Sequence, residues 1–210
     1  MGTKERKERE REEMRELILN AANDIIAAEG FVGLSIRKIA NNIEYSPAII
    51  YHYFKDKDDI VNYLMKNGYK KIIDAISSTP SSQNDPVQKL KDMTRNYINT
   101  ALSMPDEFMA AQLNTTPGLL EFTSSMFAGA SFKKPALAIL CQCLKEIYED
   151  KDTDDSLVEL TAQVIVASTF GLIIRLILEK DIISEERKEK LINHYIRLTV
   201  EGLVWGSIPR

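Results

Sequence analysis

A chain of 210 residues is long enough for one or two domains, and 44% hydrophobic with 28% charged residues is the balance of an ordinary globular protein, not of a disordered or fibrous one. A formal charge of -4 excludes a uniformly basic nucleic-acid coat, so any attraction to DNA has to be local. Two cysteines and two histidines, with no cluster at metal-ligand spacing, exclude a disulfide framework and argue against a structural zinc site; no cofactor or metal is expected.

The chain opens on a mixed-sign run, Lys4 to Glu13, charged where a secretory signal would need an apolar core, which points to a cytoplasmic protein. The run frays or extends the first helix; a basic arm reaching the minor groove of DNA is the alternative. Leu17, Ala21 and Ile25 with Ile18, Ala22 and Ile26 then form a two-column apolar stripe, and Gly30 supplies a helix stop. Ser35 suits the N-cap of a second helix whose Ile36, Ile39, Ala40 and Ile43 share one side, leaving Arg37, Lys38, Asn41 and Asn42 on the other. After a short polar gap, Ser46 can cap a third helix with Pro47 in its first turn, where the missing amide proton would have no partner. Ile50 and Phe54, four apart, can bury together, which leaves Ala48, Tyr51, His52, Lys55 and Lys57 nearer solvent. Two short helices joined by a tight turn, the second with aromatic and basic side chains outside, are the arrangement that places one helix in a DNA groove.

The elements Ala21-Ala22, Glu29-Gly30-Phe31, Ser35 to Ala40, Ser46, Tyr51 to Phe54 and Lys55 to Lys57 stand in order between Ile18 and Leu64. In this first quarter the chain resembles the TetR family of transcriptional regulators. The resemblance implies a homodimer with a three-helix DNA-binding head, an all-helical ligand-binding and dimerisation body, and repression relieved by a small molecule. By position it implies DNA contacts at Ser35, Arg37, Tyr51, His52, Tyr53 and Lys57, with Pro47 and Ala48 at the leading end of the recognition helix. Where the family usually has Gly and then Val in the turn, this chain has Glu44 and Tyr45. A non-Gly residue held there at positive φ costs roughly 1–2 kcal/mol, and the carboxylate adds negative charge near the phosphates.

Arg37 alone in this head has the bidentate geometry suited to guanine; Pro47 and Ala48 can pack on thymine methyls, and lysine, tyrosine and serine position the duplex without reading it. The bland alternatives are core packing for Tyr51 and Tyr53, a plain surface position for His52, and a solvated face for Lys55 and Lys57. Between Ser35 and Lys57 four basic residues face two acidic ones, Glu44 and Asp56.

Asp56 can cap a long helix from about Lys57 to Ile76 that joins head to body. Thr79 to Pro86 is a polar loop; Asp85-Pro86 with Gln88 opens a further helix that Met104-Pro105 closes, and Pro117-Gly118 and Pro135 mark later breaks. Cys141 and Cys143, two apart on a helix, diverge by about 200° and read as buried inert thiols. Asp155 to Glu179 is apolar nearly all round between Val164 and Ile174, which predicts burial on more than one side; a membrane span is the competing reading, interrupted by Gln163, Ser168, Thr169 and Arg175. A last helix carries Leu191, Tyr195, Leu198 and Gly202 with Ile192, Ile196 and Leu203. These two helices could pair with their copies as a four-helix dimer interface, small Ala167, Ser168 and Gly171 permitting close approach, or serve only as the subunit's own core.

The expected fold is all-α: a three-helix helix-turn-helix DNA-binding domain over 1–56 and a helical ligand-binding and dimerisation domain over 57–210. Met93, Tyr97, Phe108, Met109, Phe122 and Met126 supply adaptable apolar walls for a largely hydrophobic effector, unless they simply fill the core; Arg175 could meet a ligand acid, or form a salt bridge. The expected function is ligand-responsive regulation of transcription, with double-stranded operator DNA, a second copy and a small effector as partners and no membrane. A catalytic constellation is not evident, and no enzyme is expected. A helical dimeric scaffold without specific DNA binding is the alternative.

Overall fold

A computed structural model describes residues 3–77, 85–113, 120–121, 123–148 and 153–205. All regular structure among the described residues is helical. They divide into two compact units, Met1–Tyr69 with Asp106–Thr123, and Lys70–Pro105 with Ser124–Arg210.

The first unit is built by α1 (Thr3–Gly33), α2 (Ile36–Asn42), α3 (Pro47–Tyr51) and the leading part of α4 (Lys57–Ser77), with most of α6 (Pro105–Gln112). The mixed-sign opening run is helical from Thr3, and the i,i+4 pairs Arg6–Glu10 and Arg9–Glu13 lie along it at 2.9 and 3.4 Å. Ile18, Ala21, Ala22, Ile25 and Ile26 bury against Ile39, Ala40, Ile50, Phe54, Ile60 and Leu64 in one core. Leu17, expected in that stripe, is exposed, so the buried face of α1 is narrower than the sequence suggests. Gly30 breaks the helix at φ 69, ψ 178, and one more turn follows to Gly33. The Arg15 guanidinium stands 4.7 and 4.8 Å from the ring centroids of Phe54 and Tyr63, a cation held over two aromatic faces at the core's edge.

The start of α4 is capped reciprocally: Asp56 Oδ1 accepts the Asp59 amide at 2.8 Å and Asp59 Oδ2 accepts the Lys55 amide at 3.0 Å, satisfying two donors that the helix itself cannot.

The second unit centres on α5 (Pro86–Ser103), which packs against α7 (Pro135–Tyr148), α8 (Asp155–Leu178) and α9 (Glu185–Trp205). Asp85 caps α5 through the Gln88 amide at 3.0 Å, and Lys89 ties it to Glu146 of α7 at 3.0 Å. Residues 79–84 of the expected polar loop, Pro117-Gly118 and Phe122 lie outside the described residues. Cys141 and Cys143 are free and buried, and burial pushes the Cys143 thiol up to about 11, which keeps it protonated and inert.

Helix α8 departs from expectation. By length and composition it could cross a membrane, yet its polar residues are committed to protein partners. Buried Glu159 accepts the amides of Gly129 (2.7 Å) and Ser131 (2.9 Å) and the Ser131 hydroxyl. Gln163 Nε2 donates to the carbonyls of Ser125 and Phe127, and Thr169 meets the Tyr195 hydroxyl of α9 at 2.8 Å. Burial is also one-sided: Val158, Ala162, Ile165, Ile173 and Leu176 are inside, whereas Leu160 and Val164 are 55% and 67% exposed.

Candidate nucleic-acid interface

The α2–α3 turn is fixed by backbone chemistry at both ends. At the start of α2 the Ser35 hydroxyl accepts the Lys38 amide at 3.2 Å, which leaves its own proton free to donate outward. At the end the Tyr45 amide donates to the Ala40 carbonyl (2.9 Å) and the Glu44 amide to the Asn41 carbonyl (3.3 Å). This doubled closure requires its middle residue in the left-handed region, and Glu44 sits there at φ 59, the one non-glycine residue with positive φ among those described. The chain thus makes the turn its pattern calls for without the glycine.

Pro47 then opens α3 with its ring at a position where no amide is needed. Ser46 precedes it without a side-chain cap bond, contrary to the capping role its residue type suggests, so its hydroxyl stays available. Helix α3 is short; the amides of Tyr53 and Phe54 both reach the Ile50 carbonyl at 3.0 Å and carry the turn one step further. Ile50 and Phe54 are buried, and this sets the rotation of the whole segment. Pro47, Ala48, Tyr51 and His52 therefore face solvent, with Tyr51 57% exposed, while Tyr53 is half-buried against the core and Lys57 is half-buried at the start of α4. Arg37 is exposed on α2. Its neighbour Lys38 is ion-paired with Glu29, which diminishes its charge for any other partner.

One feature escapes the motif. A concavity of about 340 Å³ beside the end of α3 is lined by Lys7, Glu10 and Arg11 from the opening run together with His52 and Tyr53. The spacing Lys7, Arg11, Met14, Ile18 puts the two cations on the face of α1 that leads into the core, a signal present in the sequence but masked there by the alternating charges.

The candidate effector-site residues belong to both units. Met93 is buried and Tyr97 half-buried on α5, whereas Met126 is 57% exposed, all in the second unit. Phe108, buried, and Met109, half-buried, belong to the first. Arg175 is exposed and pairs with Glu179 one turn on, the salt bridge its spacing allowed. Among the described residues no group of three or more His, Cys, Asp or Glu side chains could hold a metal.

Residues 18–64 match the family described as bacterial regulatory proteins, tetR family. The HTH-type transcriptional regulator HbdR of Aromatoleum sp. (strain CIB) is 39% identical over 56 residues, which amount to 27% of this chain and 24% of that regulator. The chain thus spans about a quarter of the length of this relative. The fold as a whole is similar to the fatty acid degradation regulator FadR from Bacillus halodurans, with TM-score 0.70 and 21% identity over 90% of this chain and 95% of that one. FadR from Bacillus subtilis in complex with stearoyl-CoA is equally similar, with TM-score 0.70 and 21% identity over 89% and 97%. The head of the chain, residues 18–64, thus matches the tetR family of bacterial regulatory proteins, and the chain shares its fold with these regulators.

Proposed function

We propose that this chain is a cytoplasmic, ligand-responsive regulator of transcription, a repressor that binds double-stranded operator DNA as a homodimer and leaves it when a small, largely hydrophobic effector binds. The observation that carries the reading is the rotation of α3. Burying Ile50 and Phe54 turns Pro47, Ala48, Tyr51 and His52 outward beside exposed Arg37, the side a duplex would meet. Arg37 reads a guanine edge, Pro47 and Ala48 meet thymine methyls, and Ser35, Tyr51, His52, Tyr53 and Lys57 hold phosphates. Residues 1–56 serve DNA and 57–210 serve the effector and the second copy, with no catalytic role.

Dimerisation uses α8 and α9. Support comes from the uncovered apolar flank of α8, Leu160, Val164 and Leu178, and from Leu198 on α9, all more than half exposed. The effector site draws on Met93 and Tyr97 of α5 with Met126, while Phe108 and Met109 lie on α6. Long-chain acyl thioesters are the first probes, because the B. subtilis FadR of the same fold is in complex with stearoyl-CoA. Helix α4 contributes residues to both units, so an effector that prefers one packing of the second unit shifts the spacing of the paired heads through it. Crosslinked heads should then stay on DNA when effector is added; release from crosslinked heads would discard this route.

A gel shift on DNA flanking the chain's own gene, titrated with salt, tests the function. A specific complex that weakens steeply with salt is expected. A dimer that retards no DNA would support a helical scaffold instead, the reading that the exposed flank of α8 also permits.

A further inference from the structure

We infer that Lys7 and Arg11, on the opening turns of α1, join His52 and Tyr53 in holding a phosphate and so extend the DNA footprint of the head beyond its helix-turn-helix. The inference rests on the DNA-binding reading above. By charge counting the opening run is neutral: Lys4, Arg6, Lys7, Arg9, Arg11 and Arg15 balance Glu5, Glu8, Glu10, Glu12, Glu13 and Glu16. Geometry removes that balance on one face. The helix is continuous from Thr3, so the charges sort by face. Arg9 is spent on Glu13, and Arg15 on the rings of Phe54 and Tyr63. Glu10, the one acid in the concavity, is paired with Arg6 at 2.9 Å. Lys4, Lys7 and Arg11 are left, all exposed and without an ion-pair partner among the described residues, and of these Lys7 and Arg11, one turn apart, line the concavity.

What they flank identifies the ligand. His52 is the C-cap of α3, one residue past exposed Tyr51, and Tyr53 shares the concavity. Ammonium, guanidinium, imidazole and phenol groups around one open concavity are donors suited to the unesterified oxygens of a phosphodiester, and they read no base. Their position at the trailing end of α3 places this phosphate outside the stretch that Pro47 and Ala48 would face. The remaining acid, half-compensated by Arg6, tunes the site downward.

The salt dependence of operator binding tests this on the full-length protein, since each neutralised phosphate adds about -0.9 to the slope of log K against log salt. Lys7→Ala combined with Arg11→Ala should flatten the slope by about 0.9 for each phosphate no longer neutralised, weaken operator and random DNA alike, and leave base preference intact. The charge-preserving pair Lys7→Arg and Arg11→Lys should restore the slope, and Glu10→Gln should tighten binding to all sequences. A double alanine variant with an unchanged thermal melt and an unchanged slope overturns the site. So does a change confined to one operator sequence. If the wild-type chain bound no duplex at all, the DNA-binding reading itself would fail, a result distinguishable from either.

Discussion

At the scale of single residues, Glu44 carries an identifiable strain. It occupies a left-handed position that the closing hydrogen bonds of α2 impose, with φ 59 where glycine would be unstrained. Glu44→Gly should stabilise the head by about 0.5–1 kcal/mol, the roughly 1–2 kcal/mol of relieved strain less the greater freedom of glycine in the unfolded chain. Glu44→Ala should give no such gain, because alanine keeps the Cβ that causes the strain. Urea unfolding midpoints separate the two, and a stabilised alanine variant would mean that charge, not backbone, is the source. The same scale divides the proposed DNA contacts. Arg37→Ala should relax base preference at about one position, at a cost of roughly 1–3 kcal/mol in discrimination, while Lys57→Ala should weaken binding to every sequence and flatten the salt slope by about 1. Competition gel shifts with operator and scrambled duplexes would read both.

At the scale of elements, a helix is rotated by what it buries and pinned by what it bonds. Helix α3 is too short to hold itself together in water, so its orientation comes from Ile50 and Phe54 entering the core. Helix α8 is pinned at Glu159, whose carboxylate gathers the Ser131 hydroxyl and the amides of Ser131 and Gly129. Those donors, the Ser131 hydroxyl foremost, favour the ionised form and hold the carboxyl below its usual range. A depressed folded value contributes stability that is present above the ordinary carboxylate pKa of about 4.3 and is lost as pH falls through the folded value. Glu159→Gln should therefore lower the melting temperature at neutral pH, since its amide group presents a donor to donors, and its deficit against the wild type should shrink as the pH drops below about 4. A deficit that stays constant down to acid pH would show that shape, not charge, holds the loop.

At the scale of the whole molecule, the outer flank of α8 is the surface proposed above for dimerisation. Leu160 and Val164 lie one turn apart on it, and Ala167 and Gly171 continue the exposed line with side chains small enough for a neighbouring helix to approach. Val164→Glu should convert a dimer to monomers in sedimentation at micromolar concentration, because a second copy would have to bury an unpaired carboxylate. DNA affinity should fall with it, as two heads no longer bind as one. Persistence of the dimer would move the interface off this helix.

The sequence by itself determined the helices of the head, the turn, and every cap discussed except that of Ser46. Ser35, Asp56 and Asp85 stand where an orphan amide needs an acceptor, Pro47 and Pro86 where none is needed, and the pair Ile50 and Phe54 can bury only one way round. Such signals are local, acting within one turn, and so they can be read without knowing the fold. Partnerships between distant stretches were decided by the tertiary structure. Leu17 has the right type and spacing for the core yet stays exposed, and Arg175 satisfies its charge one turn away. The cations Lys7 and Arg11 acquire meaning only once α1 brings them beside His52, some forty residues away along the chain. Spacing specifies which face a side chain occupies, while what that face meets depends on how the helices pack, because burial is a property of neighbours and not of residues.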